Sequence, residues 1–295
     1  MQVVLPPQPP HPVQPPHSPY ATMDPTQVAD EYVRRSKAIH ARGLITGIAI
    51  AVIAIADLAV PFLPSLWMLA VVLAVFALTV IYTRFAQQHN FQDLQNISAQ
   101  DCAPAKQLAV CKLLKTRLAN PSDQLALSGI SAVCAALAGQ YQEALELSRS
   151  NDSIEGGSEG SVLNYNAQII AYRGMGNYQA LQDIRYRLSW LLENQQAARS
   201  ARTLMDSIDV TLAIGQGNWQ QAVQCLQKVE AYEAGTGRSY NFMLHVTNTY
   251  RRAQIAFGQG DIATAGPLFW YVATYGGELD VAAAARSWIA AYPPA

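Results

Sequence analysis

The sequence predicts an all-α protein: a two-helix transmembrane hairpin followed by an α-solenoid of helical pairs. Three observations carry this. Residues Gly43 to Tyr82 are forty in a row with one charge, Asp57. After Arg84 no stretch alternates apolar and polar residues as a half-buried strand does. In the same region a glycine followed two residues later by an aromatic or Ile recurs four times. Composition agrees, since 51% of the 295 residues are hydrophobic and 14% are charged, against about 25% charged in typical soluble domains. A formal net charge of −1 excludes both a generally basic surface for nucleic acid and an acidic disordered tail.

Taken in order, residues 1–24 form a proline-rich tail. Nine of the sixteen prolines lie in the first 25 residues, and no acidic or basic residue other than histidine precedes Asp24. Such a stretch has few backbone donors and little to bury, so disorder or extended polyproline II is expected. Pro7-x-x-Pro10 and Pro16-x-x-Pro19 have the spacing of ligands for aromatic-lined grooves; a plain flexible tail is the other reading. Asp24-Pro25 reads as an N-cap and first helical residue. It opens a basic juxtamembrane helix over 25–42 with Arg34, Arg35, Lys37, His40 and Arg42, suited to anionic headgroups.

One bilayer crossing takes about 20 apolar residues, so the segment 43–83 accommodates two, over about 43–60 and 65–83. Pro61 and Pro64 interrupt the helix between them. Arg34, Arg35, Lys37 and Arg42 precede the first span, Arg84 follows the second, and the turn carries no cation. The positive-inside rule then places both termini in the cytoplasm and the chain in the cell membrane as a two-pass protein. Asp57 falls near the turn, within reach of the outer interface. Gly43-x-x-x-Gly47 offers a small-residue face for close helix contact, either with the second span or with another copy.

Residues 84–103 read as a connecting helix or linker, and 104–295 as the repeat domain. Its punctuation is Gly139-x-Tyr141-x-x-Ala144, Gly176-x-Tyr178-x-x-Leu181, Gly217-x-Trp219-x-x-Ala222 and Gly260-x-Ile262-x-x-Ala265. The glycines are 37, 41 and 43 residues apart, a period of helical-pair solenoids. Glycine permits the left-handed residue that ends a helix, the aromatic fills the crevice between helices, and the small residue lets the pair approach. A helix at 104–118 precedes the four copies, and a capping helix at 278–292 follows them. Ser150–Ser161 and Ala234–Ser239 are insertions.

These motifs resemble the tetratricopeptide repeat in four degenerate copies over roughly 120–275. The early large residue of the first helix and the proline at the repeat end are mostly missing. The resemblance implies protein or peptide binding in a concave groove lined by the first helices. By register, the groove residues are Asn166, Ile170 and Arg173 in copy two, Ser207 and Thr211 in copy three, and Tyr250, Gln254 and Phe257 in copy four. The family's clamp for a terminal carboxylate does not match this set.

Nothing in the sequence points to chemistry. Gly258-x-Gly260-x-x-Ala263 fits a dinucleotide pattern, but it follows a helix rather than a strand. The doublet also recurs at Gly174/Gly176 and Gly215/Gly217, which makes it repeat punctuation. The five histidines are scattered, and Cys102, Cys111, Cys134 and Cys225 form no CxxC pair. Arg185, Arg187, Arg199 and Arg202 form a local basic cluster in a domain of fifteen basic and seventeen acidic residues. The expectation is a membrane-anchored adaptor or scaffold with no catalytic site, cofactor, metal or nucleic-acid partner. An accessory subunit of a membrane transport, secretion or envelope-synthesis complex, packed through its hairpin, is the alternative.

Overall fold

The computed structural model describes residues 17–59, 65–149, 159–193, 198–235 and 241–293. Among them are twelve α-helices and no strand. The proline-rich stretch 1–16, the turn at 60–64 and most of both insertions lie outside the described residues, as does the Asp57 side chain.

Helix α1 runs without a break from Pro25 to Ala59, and α2 from Ser65 to Ala99. Both are long and apolar enough to cross a membrane. They pack side by side as an antiparallel pair. The His40 ring meets Gln87 Nε2 at 2.9 Å, and a Cβ on Gly43 would sit 3.2 Å from Thr83 Oγ1. Gly43 therefore serves the hairpin itself, whereas Gly47 has no neighbour within 4 Å.

The stretches flanking the apolar segments are not linkers. Val28, Ala29, Leu94 and Ile97 are all fully buried in the largest core cluster, together with residues of α3 and α4. Arg35 pairs with Asp93 across the two helices at 3.1 Å, and Arg117 of α3 (Pro104–Arg117) pairs with Asp30 at 2.5 Å. Of the connecting helix or linker expected over 84–103, residues 84–99 are the continuation of α2, whose last turns carry apolar residues with a core to enter.

The expected tail is also shorter than 1–24. Residues 18–23 make a turn that presses Tyr20 into the core, fully buried. Lys106 Nζ donates to the Tyr20 carbonyl at 2.6 Å and to Ala21 at 3.0 Å. Ser18 donates to the Asp101 carboxylate through its backbone N–H at 2.8 Å and through its hydroxyl. The Arg35 guanidinium lies 5.4 Å over the Tyr20 ring. An aromatic ring and a carboxylate partner outweigh the extended preference of the neighbouring prolines.

Helices α4 (Pro121–Leu137) and α5 (Tyr141–Arg149) form the first pair, α6 (Glu159–Gly174) and α7 (Tyr178–Glu193) the second. The third is α8 (Ala198–Gly215) and α9 (Trp219–Gly235), the fourth α10 (Phe242–Gly258) and α11 (Ile262–Tyr275). Each pair turns in the same way. Gly139, Gly176, Gly217 and Gly260 have φ of +78°, +67°, +70° and +80°. Their N–H groups, and those of the next residues, bond back to carbonyls three and five positions upstream, as in Gly217 to Ile214 and Asn218 to Ala213. This satisfies the last carbonyls of the first helix. In copies two to four the residue after the glycine then caps the second helix. Asn177, Asn218 and Asp261 accept from Ala180, Gln221 and Thr264 at 3.1, 3.2 and 3.0 Å. The small or apolar residues Ala144, Leu181, Ala222 and Ala265 are fully buried behind these turns.

The aromatic of each turn packs against the next copy. A Cβ on Gly174 would sit 2.0 Å from the Tyr141 ring, on Gly215 2.5 Å from Tyr178, and on Gly258 2.2 Å from Trp219. The first glycine of each doublet is thus the seat for the preceding copy's ring. Copy one has no preceding ring, and its equivalent residue is the buried Leu137.

Helix α12 (Asp280–Ala291) joins the two ends of the array. The Glu278 N–H donates to Cys102 O at 2.9 Å, and its carboxylate accepts from the Ala105 and Lys106 N–H groups at 3.0 and 3.3 Å. Helix α3, whose own N-cap residue Ala103 supplies no side-chain bond, is therefore capped by the far end of the chain. One core cluster holds residues from α1–α6 and α10–α12, and two smaller clusters serve α6–α8 and α8–α9 with Ile255.

Gly258→Ala lowers the melting temperature through a cost of about 1–3 kcal/mol for displacing the Trp219 ring. In a Trp219→Ala background the same change is neutral or stabilising, because alanine is the better helix former by about 1 kcal/mol. Equal losses in both backgrounds, read by thermal denaturation, contradict the ring-on-glycine packing.

Candidate functional site

The residues expected to line a groove are placed mostly against the chain itself. Ile170 and Thr211 are buried. Arg173 is an ion-pair partner of Asp280 at the start of α12, at 3.1 Å. Ser207 accepts from Arg251 Nη2 of α10 at 2.5 Å. Tyr250 sits edge-on to Phe269 at 5.8 Å. Phe257 packs edge-on to Trp288 at 5.6 Å and Tyr292 at 5.3 Å, both from α12 or its end. Asn166 and Gln254 are half-buried. The structure thus brings Arg173 and Phe257 under one helix, α12, and links Ser207 to α10. Six of the eight are thus buried or in contact with other helices, while α12 packs on the last pair, α10 and α11, and reaches α5 and α6 through Asp280.

At the closing point the Tyr141 hydroxyl donates to Asp280 Oδ2 at 3.3 Å beside Arg173. Burial, reinforced by the Asp280 charge, pushes the Tyr141 phenol up to about 12. Tyr250 next to this cluster is raised as well, chiefly by burial. These groups hold the neutral phenol and the Arg–Asp pair together; they are a structural tie between α5, α6 and α12.

The repeat-domain surface left uncovered lies elsewhere. On α7, Gln182, Tyr186 and Trp190 recur every four residues, so they share one stripe of the helix beyond the seated ring of Tyr178. Tyr186 is 77% exposed and Trp190 57%. The opposite side of α7 carries the buried Leu181, Ile184 and Leu188. Arg185, on the rim, is held by Asp209 through two bonds of 2.5 and 3.2 Å. Of the basic cluster read from the sequence, Arg185 is therefore neutralised, and Arg199 has no described side chain. The aromatic stripe lies on the second helix of copy two, whereas the repeat register singles out the first helices. In the sequence it shows as an aromatic pair at i, i+4 on a helix that already has a separate apolar face.

Among the described residues, no three or more His, Cys, Asp and Glu side chains are grouped to hold a metal. Cys102 and Cys111 are buried, and burial pushes each thiol up to about 12. No protein-family model, curated protein or solved structure matches the chain.

The Tyr141 shift fixes the sign of an alkaline effect. A phenol that ionises near 10 when unfolded and near 12 when folded contributes stability below pH 10 that is lost as pH rises toward 12. Tyr141→Phe lowers the melting temperature at pH 8 by removing the bond to Asp280. It also flattens the fall in melting temperature between pH 10 and 12, which thermal scans across that range will show.

Proposed function

We propose that this chain is a membrane-anchored adaptor. Helices α1 and α2 cross the cell membrane as a hairpin with both chain ends cytoplasmic, and a tetratricopeptide-like solenoid holds protein partners at the inner face. The reading is of a binding protein, with no cofactor, metal or nucleic acid.

The observation that carries the anchor is an apolar surface that nothing among the described residues covers. Leu44, Ile45, Ile48, Val52, Ile53 and Ile55 on α1, and Val71, Leu73, Phe76, Leu78 and Ile81 on α2, are all exposed. A monomeric soluble protein rarely leaves such a contiguous patch in water. Lys37, Arg42 and Arg84 at one end set the orientation. The repeated glycine turns support the solenoid reading, and the i, i+4 pair Tyr186/Trp190 supports a docking face, since tyrosine and tryptophan dominate interface hot spots.

A second reading, an accessory subunit packed through its hairpin, is favoured by one feature: Gly47 faces open space, leaving room for another helix.

Crosslinking in intact cells followed by mass spectrometry of the full chain tests both. On the adaptor reading, Tyr186→Ala reduces the recovered partners about tenfold or more at unchanged melting temperature, and Gly47→Leu leaves them. Partners kept by the aromatic variant and lost with Gly47→Leu contradict the adaptor reading and establish the subunit.

A further inference from the structure

We infer that Lys37, Arg42 and Arg84 form a binding collar for the headgroups of anionic phospholipids. The inference rests on the membrane reading above and adds what the surface selects within the bilayer.

The two helices bring the collar together. Through His40–Gln87 and Gly43–Thr83, residues 37–43 of α1 lie beside residues 83–89 of α2. The three cations therefore surround one level of the hairpin although they are up to 47 positions apart in sequence. That level is where the exposed apolar surface stops, at Leu44 on one helix and at Phe85 on the other. Tyr82 and Phe85, 54% and 70% exposed, sit at the same boundary. A tyrosine at this position is characteristic of the membrane–water interface, so Tyr82 is a marker independent of charge that places the cations among the headgroups.

Charge partners decide which cations are available. Glu31 binds Arg34 at 2.6 Å and Arg35 at 2.7 Å, and these two bonds hold the Glu31 carboxyl below its ordinary range. Arg35 also reaches Asp93. Two of the five cations near the hairpin are therefore satisfied inside the protein. Lys37, Arg42 and Arg84 are exposed and have no ion pair among the described residues. Between Glu31 and Asp93 the only acidic residue is Asp57, about 22 Å along α1 from Arg42 at 1.5 Å per residue. The collar is thus a local excess of three positive charges, flanked by the exposed His40 and His89. Its complement is a phosphate bearing net negative charge, held by a lipid whose tails lie against the adjacent apolar helices. A zwitterionic headgroup presents the same phosphate with its own compensating cation.

Native mass spectrometry of the full chain in neutral detergent tests this, with phosphatidylglycerol and phosphatidylcholine of equal chain length added in parallel. Each cation near an anionic surface corresponds to about a five-fold preference, so the wild type retains phosphatidylglycerol on the order of a hundred-fold more tightly. Lys37→Gln/Arg42→Gln/Arg84→Gln removes that preference, while Arg187→Gln/Arg202→Gln/Lys228→Gln in the repeat domain preserves it. Equal retention of the two lipids by the wild type, or an undiminished preference in the collar variant, overturns the inference. Carbonate extraction of membranes from expressing cells separates the two levels. A chain that stays with the membrane but shows no lipid preference sinks the collar alone, and one released by carbonate sinks the membrane reading with it.

Discussion

Two helices that start inside the folded domain and leave it without interruption govern the rest of the architecture. Val28 and Ala29 near the start of α1, and Leu94 and Ile97 near the end of α2, are sealed in the same core as α3 and α4. Burying a side chain such as Leu94 or Ile97 stabilises by roughly 1.5–3 kcal/mol, and the Arg35–Asp93 and Arg117–Asp30 pairs fix their rotation. Tyr20 wedges the chain end into the same junction. Any force on the apolar half of the hairpin is therefore transmitted to the domain through helix, with no hinge of glycine or proline between Pro25 and Ala59 other than Gly43 and Gly47.

The repeat domain solves a different problem, which is how degenerate copies stay in register. Each turn ends one helix and caps the next with the same few residues, and each ring of Tyr141, Tyr178 and Trp219 finds a seat only where the next copy has glycine. A side chain at Gly174, Gly215 or Gly258 would occupy the ring's place. Closure through Glu278 and Asp280 then removes one of the free ends that an open array has to protect. The consequence for recognition is direct. Of the first-helix residues, Arg173 and Phe257 are engaged by α12 and its end, Ser207 by α10 and Tyr250 by α11, and the large exposed aromatics of copy two lie on α7.

Local features were legible in the sequence, and long-range ones were not. The helix pairs and their four glycine turns follow from spacing, because a left-handed residue flanked by a capping Asn or Asp is a local signal. The charge-free segment of α1 and α2 was equally plain. What escaped was every contact between residues far apart in the chain. Nothing near Tyr20 marks it as a core residue, since its partners Lys106 and Arg35 come from two other segments. Arg173 looked like a groove residue until Asp280, 107 positions later, took it. The doublet Gly174/Gly176 was visible as a repeat, yet its reason is a ring from the copy before.

The measurement bearing most directly on this account is a pulsed spin-label distance between the stem and the array, in a lipid nanodisc. Labels at Gln88→Cys and Gln182→Cys sit on exposed positions of α2 and α7. The native cysteines are buried, with thiols held above their ordinary range, and so react slowly. A domain that grips both stems gives one narrow distance distribution. A broad or multi-peaked distribution would mean that the helix pairs swing relative to α1 and α2, and the continuity of those helices with the core would not hold.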